Sequence, residues 1–236
     1  MSVFLDFPVR SLKILDPSVA PIYNTAGGHE ATNGMRRSRG MSGAQWRMRF
    51  DVLVHDEASV RTLRGFLFQM EGASRLVRIA MPDRYGIDGP FATATEAGRL
   101  AYPDGVPFAT DVMYSTGVGH AVPTLEATLL ADATAPAREI FVAGDGELPG
   151  GCAISINEFC YGIAGSWTDP DGRNRIRLSP VLRQNLAAGQ MISLAPVFVG
   201  HCVTENPGFE ALKYGYYGTY PFEFVEDLTR LVETVD

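Results

Sequence analysis

A chain of 236 residues, 46% hydrophobic and 20% charged, has the make-up of a globular protein with an ample core. No apolar run reaches the roughly 18 residues that a membrane-spanning helix needs, and no basic-then-apolar leader opens the sequence, so the expectation is a soluble protein made in a cytosol-like compartment. The net charge of −7 argues against nucleic acid as a main partner.

That charge is unevenly spread. Residues 1–85 hold 12 Lys+Arg against 8 Asp+Glu, and the remainder holds 8 against 19. Among the 20 basic residues only Lys13 and Lys213 are lysines. Arginine makes planar, bidentate and stacked contacts and is favoured in protein interfaces. One reading is a positive region of one copy meeting a negative region of another; the other is scatter with a codon bias towards arginine.

From Ser2 to Tyr23 the weak alternation of Val3, Leu5 and Phe7, interrupted by Pro8, Pro17 and Pro21, predicts an edge strand followed by an extended arm. Asn24 to Gly43, rich in Gly, Ser, Thr and Asn with Arg36, Arg37 and Arg39 close together, predicts a long projecting loop. The clearest stretch is Gly43 to Pro82. Trp46, Met48, Phe50, Val52 and Val54 alternate with Gln45, Arg47, Arg49 and Asp51, which predicts a strand with one apolar face. Asp56 stands as an N-cap, Val60, Leu63, Leu67 and Met70 recur at helical spacing, and Gly72 stands at the helix end, giving a helix over about 57–71. Ser74 to Met81 alternates again before Pro82.

Residues 83–136, dense in Gly and Pro, read as an insertion of loops and short hairpins, with a possible strand at Thr124 to Leu130. Short strands are then predicted at Glu139–Ala143, Ala153–Ile156, Phe159–Ile163, Arg173–Leu178, Met191–Leu194, Val197–Val203 and Tyr220–Val225. Asp169-Pro170-Asp171-Gly172 is a turn by composition, and Pro180 to Gly189 reads as a short helix. The pattern predicts a mainly β fold with one principal helix on the sheet, an antiparallel sandwich or split barrel. Its core would be 1–82 with 137–236, and 83–136 the insertion.

Motifs for chemistry are scarce. No GxSxG, GxxxxGK[ST], HExxH or dinucleotide fingerprint is present, and His29, His55, His120 and His201 are scattered. Cys152, Cys160 and Cys202 form no CxxC and read as buried small hydrophobes, although Cys160 with His201 is conceivable as a thiol–imidazole pair. The acid pairs Asp145 with Glu147, and Asp169 with Asp171, lie beside Gly or Pro and read as turn chemistry rather than as calcium ligands or a glycosidase pair. Tyr214, Tyr216, Tyr217 and Tyr220 cluster near the end, where they suit either a half-buried β surface or a contact face. No catalytic, cofactor-binding or metal-binding residue is assigned.

The segment SGAQWRMRFDVLVHDEASVRTLRGFLFQMEGASRLVRIAMPD, with its aromatic-basic strand, its Leu63-to-Gly72 helix and its Met81-Pro82-Asp83 stop, resembles the opening of bacteriophage minor tail proteins of the distal-tail type. LPGGCAISINEFCYGI, followed by DPDGRNRIRLSPVLRQNLAAGQMISL with Pro180, Leu182, Arg183 and Gly189, is similar to that family's second half, and YGTYPFEFVED to its closing strand. The resemblance covers about two thirds of the chain; residues 24–40 and 83–136 depart from it. It implies a tail-tube-like fold and a hexameric ring subunit at the tip of a long non-contractile tail. Such a ring would join the tail tube protein to the baseplate hub protein, with DNA only passing through its lumen. It implies a virion protein assembled in the host cytoplasm, with no membrane, cofactor or catalytic residue. Interface candidates are then Arg36, Arg37, Arg39, Trp46, Arg47, Arg49, Arg183, Tyr214, Tyr216 and Tyr217. The rival expectations are a carbohydrate-binding tail module for host attachment, stacking sugars on Tyr102, Tyr114 and the 214–220 tyrosines, and a cell-wall hydrolase using Asp145, Glu147 or Cys160.

Overall fold

The computed structural model of the chain describes residues 4–9, 11–26, 39–81, 126–143, 148–171, 173–203 and 218–229. It is mainly β, with a single helix and two sheets among the described residues. The first sheet has six strands in the order β1 (Leu5–Asp6), β4 (Val77–Ala80), β11 (Val197–Cys202), β12 (Gly218–Glu226), β3 (Arg39–Val54) and β2 (Lys13–Ala26). All neighbours are antiparallel except β1 with β4. The second is a closed antiparallel barrel of β10 (Met191–Ser193), β5 (Glu126–Leu129), β6 (Glu139–Ala143), β9 (Asn174–Ser179), β8 (Phe159–Thr168) and β7 (Ala153–Ile156).

The period of two in β3 does what it predicts: Trp46, Met48, Phe50, Val52 and Val54 are all buried. Helix α1 (Glu57–Met70) covers that face with Leu63, Phe66 and Met70. Asp56 caps it from an extended backbone, its carboxylate accepting from Ser59 N at 2.7 Å while Ser59 Oγ accepts from Asp56 N at 3.2 Å. The chain leaves the helix through Glu71 (φ 48°) and Gly72 (φ 75°), a left-handed exit one residue earlier than the glycine alone suggests. Between helix and sheet, Phe7 meets Phe66 and Phe50 edge-on at 4.9 and 5.1 Å, and Phe222 and Phe224 stack along β12.

The barrel is spliced into the sheet between β4 and β11, so the division of the chain differs from the expected one. Residues 126–136, placed by composition in the insertion, supply β5 and the bridge from Ala133 to Leu186. Among the described residues of 137–236, only β11 and β12 return to the first sheet; β6 to β10 build the barrel with β5. The barrel is filled by Ile140, Val142, Ile154, Ile156, Tyr161, Ile163, Ile176, Leu178 and Ile192, the inward residues of alternating strands.

Three local expectations are corrected. Pro180 to Gly189 forms no helix: Leu182 N donates to Ala137 O at 2.7 Å, and Leu186 exchanges both backbone bonds with Ala133 at 2.9 Å. Those tertiary bonds use the groups a helix would pair internally, and they hold Leu182 and Leu186 in the barrel core. The arm after residue 12 is a full strand, and β3 begins at Arg39, so both ends of the expected 24–43 loop are paired. Strand β8 continues past Ile163 through Trp167, with a register shift between Ile163 and Gly165.

Candidate self-association surface

On β3 the side chains alternating with the core set point to the face of the sheet opposite α1. Cross-strand register aligns Ser18, Arg49 and Glu223 in one row, and Ala20, Arg47 and Val225 in the next. Arg49 is exposed and Arg47 half-buried. Both guanidiniums bond the same oxygen, Glu223 Oε1, at 2.9 and 3.1 Å. One carboxylate serves two arginines, Asp51 lies two residues along β3 on the same face, and the exposed Lys13 lies on that face one strand over. The arginine-rich alternation noted in the sequence therefore becomes a solvent-facing sheet surface of paired charges.

Beyond Arg47 the β2–β3 ribbon is two-stranded, because β12 pairs only with Arg47 to Val54. Arg39 lies in this ribbon, and Ile22 and Tyr23 are exposed on it. The ribbon's outer edge is blunted. Pro21 lies opposite Trp46, whose N–H points away from β2 to Glu226 Oε2 at 3.0 Å, and proline offers no donor to a further strand.

Two interface candidates lie inside the chain instead. Trp46 is a core residue, its indole Nε1 donating to Cys160 O on the barrel at 2.8 Å. The ring packs beside Gly162, where a Cβ would touch it at 3.8 Å. Arg183 is buried against Glu226, and its Nη2 donates to Ala44 O at 2.9 Å. It stacks near the rings of Phe159 and Tyr161, while its backbone N donates to Tyr161 OH at 3.2 Å. Burial pushes the Tyr161 phenol up to about 12, against the smaller opposite pull of the Arg183 N–H bond. Both residues join sheet to barrel within one chain because each has a partner on the other unit; neither is available to a second copy. Arg36, Arg37, Tyr214, Tyr216 and Tyr217 lie outside the described residues.

The residues considered for chemistry have structural partners. Cys152, Cys160 and Cys202 are buried thiols, and Cys160 Sγ donates to Val197 O at 2.7 Å. The His201 ring lies 3.8 Å from the Asp227 carboxylate. Asp169 and Asp171 flank Arg173, and Asp169 N closes the turn onto Arg173 O at 2.8 Å. Asp145 and Glu147 lie outside the described residues, as do Tyr102 and Tyr114. Among the described residues, no three of His, Cys, Asp and Glu come together as metal ligands would, and no helix is long and apolar enough to cross a membrane.

The acids that organise these surfaces, Glu139, Glu223 and Glu226, were not singled out in the sequence. Each meets its arginine across at least 36 residues of chain, so no local spacing announces the pair. No protein-family model matches the chain, and no curated protein matches it in sequence.

Proposed function

We propose that this chain is a structural subunit of a phage-type tail, a distal-tail ring protein that joins the tail tube to the baseplate hub and surrounds the DNA channel. The observation that carries this reading is the arginine-bearing sheet flank, where Arg47 and Arg49 converge on Glu223 on the face turned away from the helix. A ring needs heterologous contacts, one face of a subunit meeting a different face of its neighbour, and closure sets the copy number. An exposed flank of arginines suits such a contact, and the low lysine content agrees with surfaces made for contact rather than solvation. The resemblance of the strand–helix–strand segment and of the closing strand to distal tail proteins supports a place at the tail tip. The overall acidity suits a channel that DNA crosses without being gripped.

Negative-stain imaging of the purified full chain tests the proposal. Closed rings of uniform diameter are expected, with particles lacking the protein showing incomplete tails. A protein that stays monomeric at high concentration, together with complete tails in its absence, overturns it.

A further inference from the structure

The bulge in β8 turns a tryptophan outward. Ile163 pairs with Leu178 and faces the barrel core, and unbroken alternation would send Gly165 and Trp167 inward after it. The register shift between Ile163 and Gly165 sets them instead opposite Arg177 and Arg175, on the outer wall. Trp167 is half-buried there, its ring against Gly165, where a Cβ would touch it at 3.7 Å. Phe141 of β6 stands on the other side of Arg175, also half-buried and alternating with the inward Ile140 and Val142. An outer barrel wall is ordinarily polar, so two large rings on it, one re-aimed by a bulge, call for a reason.

The polar groups around these rings are ordered and balanced in charge. Arg175 and Arg177 both bond Glu139, the latter at 2.7 Å, and Arg173 lies 2.9 Å from Asp171 and 3.7 Å from Asp169. Three arginines thus meet three acids. The Arg173 and Arg175 guanidiniums lie 5.0 and 5.6 Å from the Phe141 ring, and Arg175 and Arg177 lie 5.3 and 5.7 Å from Trp167. Pairing and stacking hold these side chains in place before any ligand arrives. Arg177 is exposed and bonds Glu139 through Nε and Nη2, which leaves its Nη1 group to donate outward.

This combination selects an occupant. A charged partner finds no surplus charge to match, and an apolar one would strip water from the ion pairs without replacing its hydrogen bonds. A neutral sugar meets both halves of the wall: its C–H face packs on an aromatic ring, while its hydroxyls accept from guanidinium and donate to carboxylate. We propose that the wall formed by Trp167, Phe141, Arg175, Arg177 and Glu139 is a binding site for a neutral oligosaccharide. It shares no residue with the tyrosine platform expected from the sequence, and it stands independently of the ring reading.

A glycan microarray of neutral and acidic oligosaccharides, probed with the full chain, tests the site. A neutral hexose or N-acetylhexosamine oligosaccharide is expected to bind, to change Trp167 emission on titration, and to stay bound as salt is added. Trp167→Ala and Arg177→Ala are each expected to weaken that binding by about tenfold or more. Far-UV circular dichroism checks that each variant is folded, and Glu139→Gln replaces either that is not. An array on which no neutral glycan binds overturns the proposal, as does binding undiminished in the folded variants. Self-association lost in folded Trp167→Ala, with no glycan bound by wild type, makes the wall a subunit contact and also overturns it. Absence of rings with glycan binding intact removes the ring reading alone.

Discussion

Arg183 and Glu226 meet inside the protein with side chains 7% and 1% exposed, one from the barrel's connection between β9 and β10, the other from the last residue of β12. The same carboxylate accepts from Trp46 N, and the Glu226 carbonyl accepts from Gln45 Nε2 at 2.8 Å. Sheet and barrel are thus aligned by a charge that water does not reach.

Removing one partner of such a pair leaves the other desolvated and uncompensated. Arg183→Met is expected to destabilise the protein by about 3–5 kcal/mol. The double variant Arg183→Met with Glu226→Gln keeps an acceptor for Trp46 N and is expected to recover to within about 2 kcal/mol of wild type. Urea unfolding of the three proteins measures this; equal losses in the single and double variants would contradict it.

Trp46→Phe removes the bond to Cys160 O and part of the ring that fills the space beside Gly162. A loss of about 2–4 kcal/mol is expected from an orphaned carbonyl and a cavity together. Only Trp167 then remains, half-buried on the barrel wall, so the emission maximum should shift to longer wavelength than in wild type. An unchanged spectrum would mean that Trp46 is no more buried than Trp167.

Two glycines make opposite predictions. A Cβ at Gly200 would lie 2.2 Å from Val225 O, inside the β11–β12 ladder, so Gly200→Ala should cost about 3 kcal/mol or more by forcing the strands apart. At Gly65, on α1, a Cβ meets nothing within 4 Å, and Gly65→Ala should stabilise by about 0.5–1 kcal/mol. Thermal melts of both variants decide this; a neutral Gly200→Ala would mean that β11 and β12 are not so closely apposed.

The pH response has two limbs. Arg177, then Arg175, holds the Glu139 carboxyl below its ordinary value of 4.5, and the Ser59 bonds hold Asp56 below 3.8. These are folded-state values lower than unfolded ones, so their stabilisation is present above the ordinary values and is lost as the pH falls through the lowered ones. Glu139→Gln should flatten part of the acid decline in melting temperature. Tyr161 acts in the other sense: raised from 10.0 to about 12, it contributes stability below pH 10 that disappears as the pH rises through about 12. In an absorbance titration of the 9 tyrosines one should ionise late, and that step should vanish in Tyr161→Phe.

What could be read in advance was whatever is written within a few neighbouring residues. The alternation from Trp46 to Val54, the Asp56 cap and the Leu63–Met70 spacing are local patterns, and each appears in the fold where it was expected. The barrel was missed as a separate unit because closure depends on β10 meeting both β5 and β7, a pairing no segment signals alone. Leu182 and Leu186 looked helical because apolar residues four apart suit a helix, yet Ala133 and Ala137 claim their backbone groups. The Arg47/Arg49 surface was half visible: the alternation gave its direction, but Glu223, 174 residues beyond Arg49, could not be assigned to it.

Met81 N donates to Pro196 O at 2.9 Å, so the chain departs for the barrel and comes back from it at adjoining points on one rim of the sheet. Traction drawing the barrel outward would therefore peel β4 from β11 a rung at a time, the geometry in which paired strands resist least. The tensile strength of the joint falls instead to the indole of Trp46 and the carboxylate of Glu226.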